Sequence, residues 1–330
     1  MGTENKQRHV YFNGELVPES DARISIYDSA LMFGDMVFEM TRSFNKKQFL
    51  LDKHIERLFN GLKILEINPG ISKSELKKVC EHVQVSNDHL FDSDDEHRLM
   101  INISRGPLGL YSGHVSELQS RPTVIVADFP LKWTLSGMSR FYKKGINCII
   151  PSQRAIPATL MDPKIKNRSR MWYQMANIET SKVLGDNNWA LLIDPDGYIA
   201  EGTGNNFFMI KDETIITPEG RNILRGTRRE YIFTLAKQLG LKCLEKNIEP
   251  YDVALADEAF VTGTPFCILP VTQFQNKDIG NGKFGEMTKS LLSQWSNNVG
   301  IDIQMQINNY DLSGIREVKA STPYQHIKHD

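Results

Sequence analysis

The sequence predicts a two-domain α+β protein, with a small N-terminal α/β domain followed by a larger strand-rich one. Three observations lead there. The chain has 330 residues, which suits about two domains of ordinary size. Short apolar runs bounded by Gly, Pro, Asn and Asp recur along it, the pattern of strands joined by turns. Two stretches, one in each half, carry apolar residues at helical spacing.

In the first half, Val10–Phe12 and Glu15–Val17 flank Asn13-Gly14, a two-residue hairpin signal because both turn positions tolerate positive φ. Val37–Phe44 and Lys47–Leu51 read as further strands. Asp52 suits an N-cap, and Ile55, Leu58, Phe59, Leu62 and Leu65 follow on one helical face. Leu99–Ser104 and Thr123–Asp128 are strands, and the loop Arg105–His114 follows the first. The small domain is expected to span 1–130, with 131–137 as a connection.

The larger domain is expected over 138–300. Ile146–Ile150, Ala190–Asp194, Tyr198–Glu201, Phe207–Ile210 and Thr214–Thr217 read as short strands, with Pro195-Asp196-Gly197 the clearest turn between them. Ile232, Leu235, Ala236 and Leu239 mark a helix that Gly240 is placed to end. Ala259–Thr262 is another strand, broken by Gly263-Thr264-Pro265. Residues 301–330 lose clear periodicity and read as a C-terminal extension.

Composition excludes several classes of function. Formal net charge is -1, with no basic excess of the kind that binds nucleic acid. No apolar run is long enough to span a membrane, and the N-terminal residues lack the apolar core of a signal peptide. Cys80, Cys148, Cys243 and Cys267 are scattered, without metal-ligand spacing, so reduced thiols, no metal and a cytoplasmic location are expected.

The most informative stretch is Glu201-Gly-Thr-Gly-Asn-Asn206-Phe-Phe208. A carboxylate ends one apolar strand, a glycine-rich turn follows, and Asn206 opens the next. Such a carboxylate is costly to bury without a partner, so a cationic or proton-bearing group should meet it. Gly226-Thr227 precedes a helix and Gly263-Thr264 ends a strand. Both turns offer backbone N–H donors suited to a phosphate. Asp162-Pro163-Lys164-Ile165-Lys166-Asn167 places two lysines two apart in an extended stretch, hence on one face. A lysine that loses proton affinity on burial becomes a nucleophile for carbonyls.

Together these residues resemble the class IV, pyridoxal-phosphate-dependent aminotransferases, of fold type IV. That family includes branched-chain and D-amino-acid aminotransferases and aminodeoxychorismate lyase. The resemblance runs from about Val10 to Trp295. It rests on Glu201, Thr203, Asn206, Phe207 and Phe208, then Ile215 and Thr217, then Leu224, Gly226 and Arg229, and on His54-Ile55-Glu56-Arg57-Leu58. Thr227 stands where an aliphatic residue is usual, and Arg228 replaces a common threonine.

The resemblance implies a role for each matching residue. Lys164 would form the Schiff base with pyridoxal 5'-phosphate and serve as general base, with Lys166 its rival. Glu201 would pair with the pyridine nitrogen. Arg57, Gly226, Thr227, Arg228 and Thr264 would hold the phosphate, with Asn206 part of the cofactor bed. Phe38, Met40, Arg42, Arg105, His114 and Pro265 are the expected substrate contacts, with Arg105 equally readable as structural. Met40 fills a usual glycine of the branched-chain motif, and the Tyr-x-Arg of branched-chain enzymes is absent at Arg98-Leu99-Met100. The implied activity is transfer of an amino group between an amino acid or primary amine and a 2-oxo acid, leaning to branched-chain substrates, in a homodimer. The alternatives are a pyruvate-releasing lyase and a non-catalytic cofactor-binding protein.

Overall fold

The computed structural model describes residues 7–112, 114 and 121–311. The chain divides into two units. The first comprises residues up to Leu131 together with Ile165–Ser169; the second comprises Lys132–Lys164 and the chain from Arg170 onward.

The first unit contains, in order, β1 (His9–Phe12), β2 (Glu15–Pro18), α1 (Ser29–Phe33), β3 (Met36–Met40), β4 (Ser43–Phe44), β5 (Lys47–Gln48), α2 (Leu51–Ile64), α3 (Lys73–Asn87), β6 (His97–Ser104), α4 (Gly109–Ser112) and β7 (Thr123–Pro130). Its main sheet has the order β2-β1-β7-β6-β3, with β3 antiparallel to β6 so that Phe38 lies opposite Asn102. The β1–β2 turn is the expected one, with Asn13 at φ 52° and Gly14 at φ 110°.

The expected strand Val37–Phe44 is two strands. The chain breaks pairing at Thr41-Arg42, and β4 then pairs with β5 across Asn45-Lys46, both at positive φ. The strand expected over Lys47–Leu51 therefore ends at Gln48. Leu50, in the left-handed region at φ 58°, takes the N-cap position of α2 in place of Asp52, whose carboxylate instead receives Lys77 Nζ at 2.8 Å. Helix α3 has the sequence signature of its own start: Ser72 and Glu75 form a reciprocal capping box.

One face of the sheet carries Val37, Leu99, Ile101, Ile103, Val124 and Val126, packed with Ile55, Leu58 and Leu62 of α2 and Leu76, Cys80 and Val83 of α3. Burial of each such side chain contributes about 1.5–3 kcal/mol. Gly61 brings α2 close to β3, because a Cβ there would lie 3.0 Å from Val37 Cγ1. Strand alternation places Met36, Phe38, Met40, Arg98, Met100 and Asn102 on the opposite face. Ile165–Ser169 joins this unit because it runs along β3: Phe38 N–H donates to Lys166 O at 2.9 Å, and Val37 bridges Asn167.

The second unit contains α5 (Lys132–Leu135), α6 (Arg140–Lys144), β8 (Ile146–Ile149), α7 (Met171–Thr180), β9 (Asn188–Ile193), β10 (Ile199–Gly202), β11 (Asn206–Lys211), β12 (Thr214–Thr217), α8 (Thr227–Gln238), β13 (Lys242–Glu245), α9 (Pro250–Ala254), β14 (Glu258–Gly263), β15 (Cys267–Phe274), β16 (Lys277–Asp278), α10 (Glu286–Val299) and α11 (Ile303–Asp311). Its 9-stranded sheet runs β10-β9-β8-β15-β14-β11-β12-β13, with β16 on β15. Strand β10 also pairs β11, which closes six of the strands into a ring, and the closing pair is Glu201 opposite Asn206. The carboxylate read from the sequence thus sits at the seam of the ring.

The C-terminal extension expected from 301 onward begins instead as α11, whose Ile303, Ile307 and Tyr310 are buried. Residues 312–330 lie outside the described residues. Among the described residues no helix is long and apolar enough to cross a membrane.

Candidate active site

In the second unit the Glu201 carboxylate is 4% exposed. Tyr173 Oη, on α7, donates to its Oε1 at 2.9 Å, and Asn206 Nδ2 donates to its Oε2 at 3.1 Å. The glycine-rich turn between β10 and β11 is closed by Gly202 N–H donating to Asn205 O, and Thr203 Oγ1 donates to Asn177 Oδ1 at 2.8 Å. The cationic partner expected for Glu201 is not among these donors, which are a neutral phenol and a neutral amide.

Asn206 links that carboxylate to a helix start. Its Nδ2 also donates to Leu224 O at 2.9 Å. A Cβ on Gly226 would lie 2.1 Å from Asn206 Oδ1, so only glycine fits the approach. Gly226 is the N-cap of α8, and no side chain caps it. The first turn therefore presents backbone N–H groups and the positive end of the helix dipole. Thr227 and Arg228 are buried there, with Arg228 Nη1 donating to Thr227 Oγ1 at 3.3 Å. A buried guanidinium beside the positive end of a helix favours an anion at that place. Arg229, part of the sequence signature, holds the fold instead: its Nη2 donates to Pro218 O and to Glu245.

The turn carrying Thr264 and Pro265 joins β14 to β15. It is fixed by Thr262 Oγ1 donating to Cys267 O at 2.6 Å and by Tyr142 Oη donating to Phe266 O at 3.0 Å. Cys267 takes the left-handed conformation at φ 64° to make this return.

Lys164 belongs to the second unit. Its Nζ lies 2.8 Å from Asp162 Oδ1 and donates to Arg221 O at 3.2 Å. The Lys164 amine is thus engaged by a carboxylate and a main-chain carbonyl of its own unit. Lys166 belongs to the first unit, with its Nζ 4.7 Å from the centroid of the Phe38 ring. Arg168 lies over the same ring, Cζ 3.7 Å from its centroid, and its Nε and Nη2 donate to Asn102 Oδ1 at 3.3 and 3.0 Å. Phe38 is thus brought together with Lys166 and Arg168.

Arg57 is gripped by a residue that the sequence motifs do not include. Its Nε and Nη2 donate to Glu39 Oε1 and Oε2 at 2.6 and 2.8 Å, and His54 Nδ1 lies 2.7 Å from Glu39 Oε2. Burial pushes the Glu39 carboxyl up, but Arg57 and His54 outweigh it and hold the group well below the usual carboxylate range. The signal is legible in the chain: an acid in the middle of an apolar strand, and His and Arg at i and i+3 on one helix face.

The structure gives three expected substrate contacts partners or surroundings of their own. Arg42 is 0% exposed, lies 3.9 Å above the Phe44 ring and donates Nε to Ser43 O, so the strand break turns it into a core residue. Arg105 Nε donates to Asp35 Oδ2 at 2.6 Å, and its Nη groups donate to Leu65 O and Glu66 O, which is the structural reading. His114 is exposed in a turn whose N–H bonds Tyr111 O. Met40 keeps its place on the face of Phe38, its sulfur accepting from Arg98 Nη2 at 3.6 Å. Tyr173, which bonds Glu201, and Asn102, which bonds Arg168, are marked by nothing local in the sequence.

Residues 36–274 match the family model for amino-transferase class IV. The chain belongs to that family. A putative branched-chain-amino-acid aminotransferase of Methanocaldococcus jannaschii is 33% identical over 284 residues, covering 86% of this chain and 93% of that protein. The branched-chain amino acid aminotransferase structure of Escherichia coli matches with a TM-score of 0.79 at 26% identity, covering 88% of this chain and 94% of that one. The T.th. branched-chain amino acid aminotransferase, solved with pyridoxamine 5'-phosphate, matches with a TM-score of 0.78 at 26% identity, over 89% of this chain and 95% of that one.

Proposed function

We propose that this class IV aminotransferase moves an amino group between an amino acid and a 2-oxo acid, uses pyridoxal 5'-phosphate, and prefers donors with branched apolar side chains. The observation that carries the cofactor reading is Asn206, which ties a buried carboxylate to an uncapped helix start. Glu201 suits a protonated pyridine nitrogen, and the start of α8 with Thr227 and Arg228 suits a phosphate. Thr264, on its fixed turn, adds a hydroxyl donor. Arg57, whose guanidinium plane Glu39 fixes, adds a positive charge. Relatives named for branched-chain substrates support the substrate reading, as does the apolar surface of Met36, Phe38, Met40 and Met100 on one sheet face.

Lys166 is assigned the covalent link to the cofactor aldehyde in place of Lys164. Its amine lies over the Phe38 ring beside Arg168, and its main chain is fixed against β3. Lys166 Nζ accepts the substrate α-proton and returns it, so one residue is both anchor and general base. When bound, the cofactor supplies an electron sink for the substrate carbanion. Glu201, held by Tyr173 and Asn206, keeps its carboxylate aimed at one place throughout.

Glu201→Gln is expected to lower kcat by roughly 10²–10³-fold, the range for loss of an electrostatic stabiliser, while leaving cofactor content unchanged. Absorbance of the bound cofactor together with steady-state rates with leucine and 2-oxoglutarate reads both, and unchanged turnover would remove Glu201 from this role. A lyase would release pyruvate with no acceptor present, so a single-turnover assay with donor alone separates the two activities.

We also assign a second copy of the chain as partner. Helix α1 and the segment before it expose Ile26, Leu31 and Phe33 at 69%, 63% and 67%, large apolar side chains that water disfavours. Helix α7 exposes Met171, Met175 and Ile178 at helical spacing. Leu31→Asp with Phe33→Asp is expected to shift sedimentation from dimer to monomer; a wild-type chain that sediments as a monomer contradicts the assignment.

A further inference from the structure

We infer that Arg168 receives a carboxylate of the substrate acid. The inference rests on Lys166 as the cofactor lysine, and it concerns residues of the first unit alone. In the segment along β3, Ile165 and Asn167 are buried and Lys166 and Arg168 are part-exposed, and Asn167 N–H turns back to Ile165 O at 2.9 Å. Both cations rest on one ring, with Lys166 Nζ 4.7 Å and Arg168 Cζ 3.7 Å from the Phe38 centroid. An amino acid processed beside the Lys166 amine has the Arg168 guanidinium over the same ring for its carboxylate.

Arg168 is also held for the task. Asn102, directly opposite Phe38 on β6, accepts from both Nε and Nη2, and the ring stacks against the guanidinium plane. A side chain fixed in this way loses little further freedom when it pairs with a carboxylate. The other arginines of this unit singled out above have different partners: Arg42 on Phe44, Arg57 on Glu39, Arg98 on Met40 and Phe129, and Arg105 on Asp35. Arg168 shares its ring with the proposed cofactor lysine.

The carboxylate is either the α-carboxylate of every amino acid or the side-chain carboxylate of a dicarboxylic partner, and one experiment separates them. Arg168→Gln and Arg168→Lys holoenzymes are titrated with glutarate and with 4-methylvalerate, which bind without reacting, and Michaelis constants are measured for leucine and 2-oxoglutarate. Arg168→Gln is expected to weaken glutarate binding and to raise the Michaelis constant for 2-oxoglutarate about 10- to 100-fold, with partial recovery in Arg168→Lys. Weakening of 4-methylvalerate and leucine by the same factor assigns the α-carboxylate; no change in those two assigns the side-chain carboxylate. Unchanged constants for all four acids overturn the inference. Should Arg168→Gln fail to fold, Asn102→Ser is expected to raise the glutarate constant about threefold by loosening the arginine, and no rise is equally decisive. Cofactor attached to a residue other than Lys166 in these holoenzymes overturns the reading beneath the inference; cofactor on Lys166 with unchanged constants overturns the inference alone.

Discussion

Lys166→Ala is expected to abolish the visible absorbance of the bound cofactor and to reduce transamination at least about 10⁴-fold, because covalent anchoring and proton transfer are lost together. Lys164→Ala is expected to keep the absorbance and to keep most of the turnover. Its amine is engaged by Asp162 and the Arg221 carbonyl, so removing it costs a partly exposed ion pair worth at most about 1 kcal/mol. The two variants differ in the position of one amine by two residues, and the absorbance reports which of them carries the cofactor. Loss of the band in Lys164→Ala with its retention in Lys166→Ala would reverse the assignment.

Glu39→Gln is expected to destabilise the protein by about 3–5 kcal/mol, the cost of breaking a buried ionic group by removing one partner. Glu39 is fully buried and accepts from Arg57 and His54 together, so its loss leaves the guanidinium poorly matched at the sheet. The pH dependence fixes the sign. Burial raises the Glu39 carboxyl and Arg57 and His54 lower it by more, so its folded value lies below the ordinary 4.5. Its contribution is therefore present above the ordinary value and is lost as pH falls through the folded one. The stability gap between wild type and Glu39→Gln should be full at pH 7 and should narrow below about pH 4.5. Urea midpoints across that range measure it. The variant should also bind pyridoxal 5'-phosphate about tenfold more weakly, because Arg57 loses the partner that fixes its plane. A midpoint at pH 7 indistinguishable from wild type would show that Glu39 does not hold Arg57 in solution.

Much of the fold can be read from the chain because its signals are local. The Asn13-Gly14 turn, the apolar face of α2 and the turn from Glu201 to Asn206 depend on neighbours in sequence. Helix α3 is equally readable, from its Ser72–Glu75 capping box and from Leu76, Cys80 and Val83 at helical spacing. The arginines are the hardest to place. Arg42, Arg105 and Arg168 look alike in sequence, and what separates them is a partner brought by the fold: Phe44 beyond a strand break, Asp35 from 70 residues away, Asn102 from 66 residues away. Alternation predicts one side of an extended chain for Lys164 and Lys166, but the chain turns at Pro163-Lys164 and again about Lys166, so alternation has no power to choose between them. The choice lies in Asp162 and Arg221 on one hand and Phe38 on the other.

Borohydride reduction of the holoenzyme followed by peptide mass mapping tests the central claim most directly, since it fixes the cofactor covalently where it stands. The predicted result is one phosphopyridoxyl group on Lys166, within a peptide that trypsin opens after Lys164 but not after Lys166. The modification on Lys164, with cleavage after Lys166 intact, would contradict it.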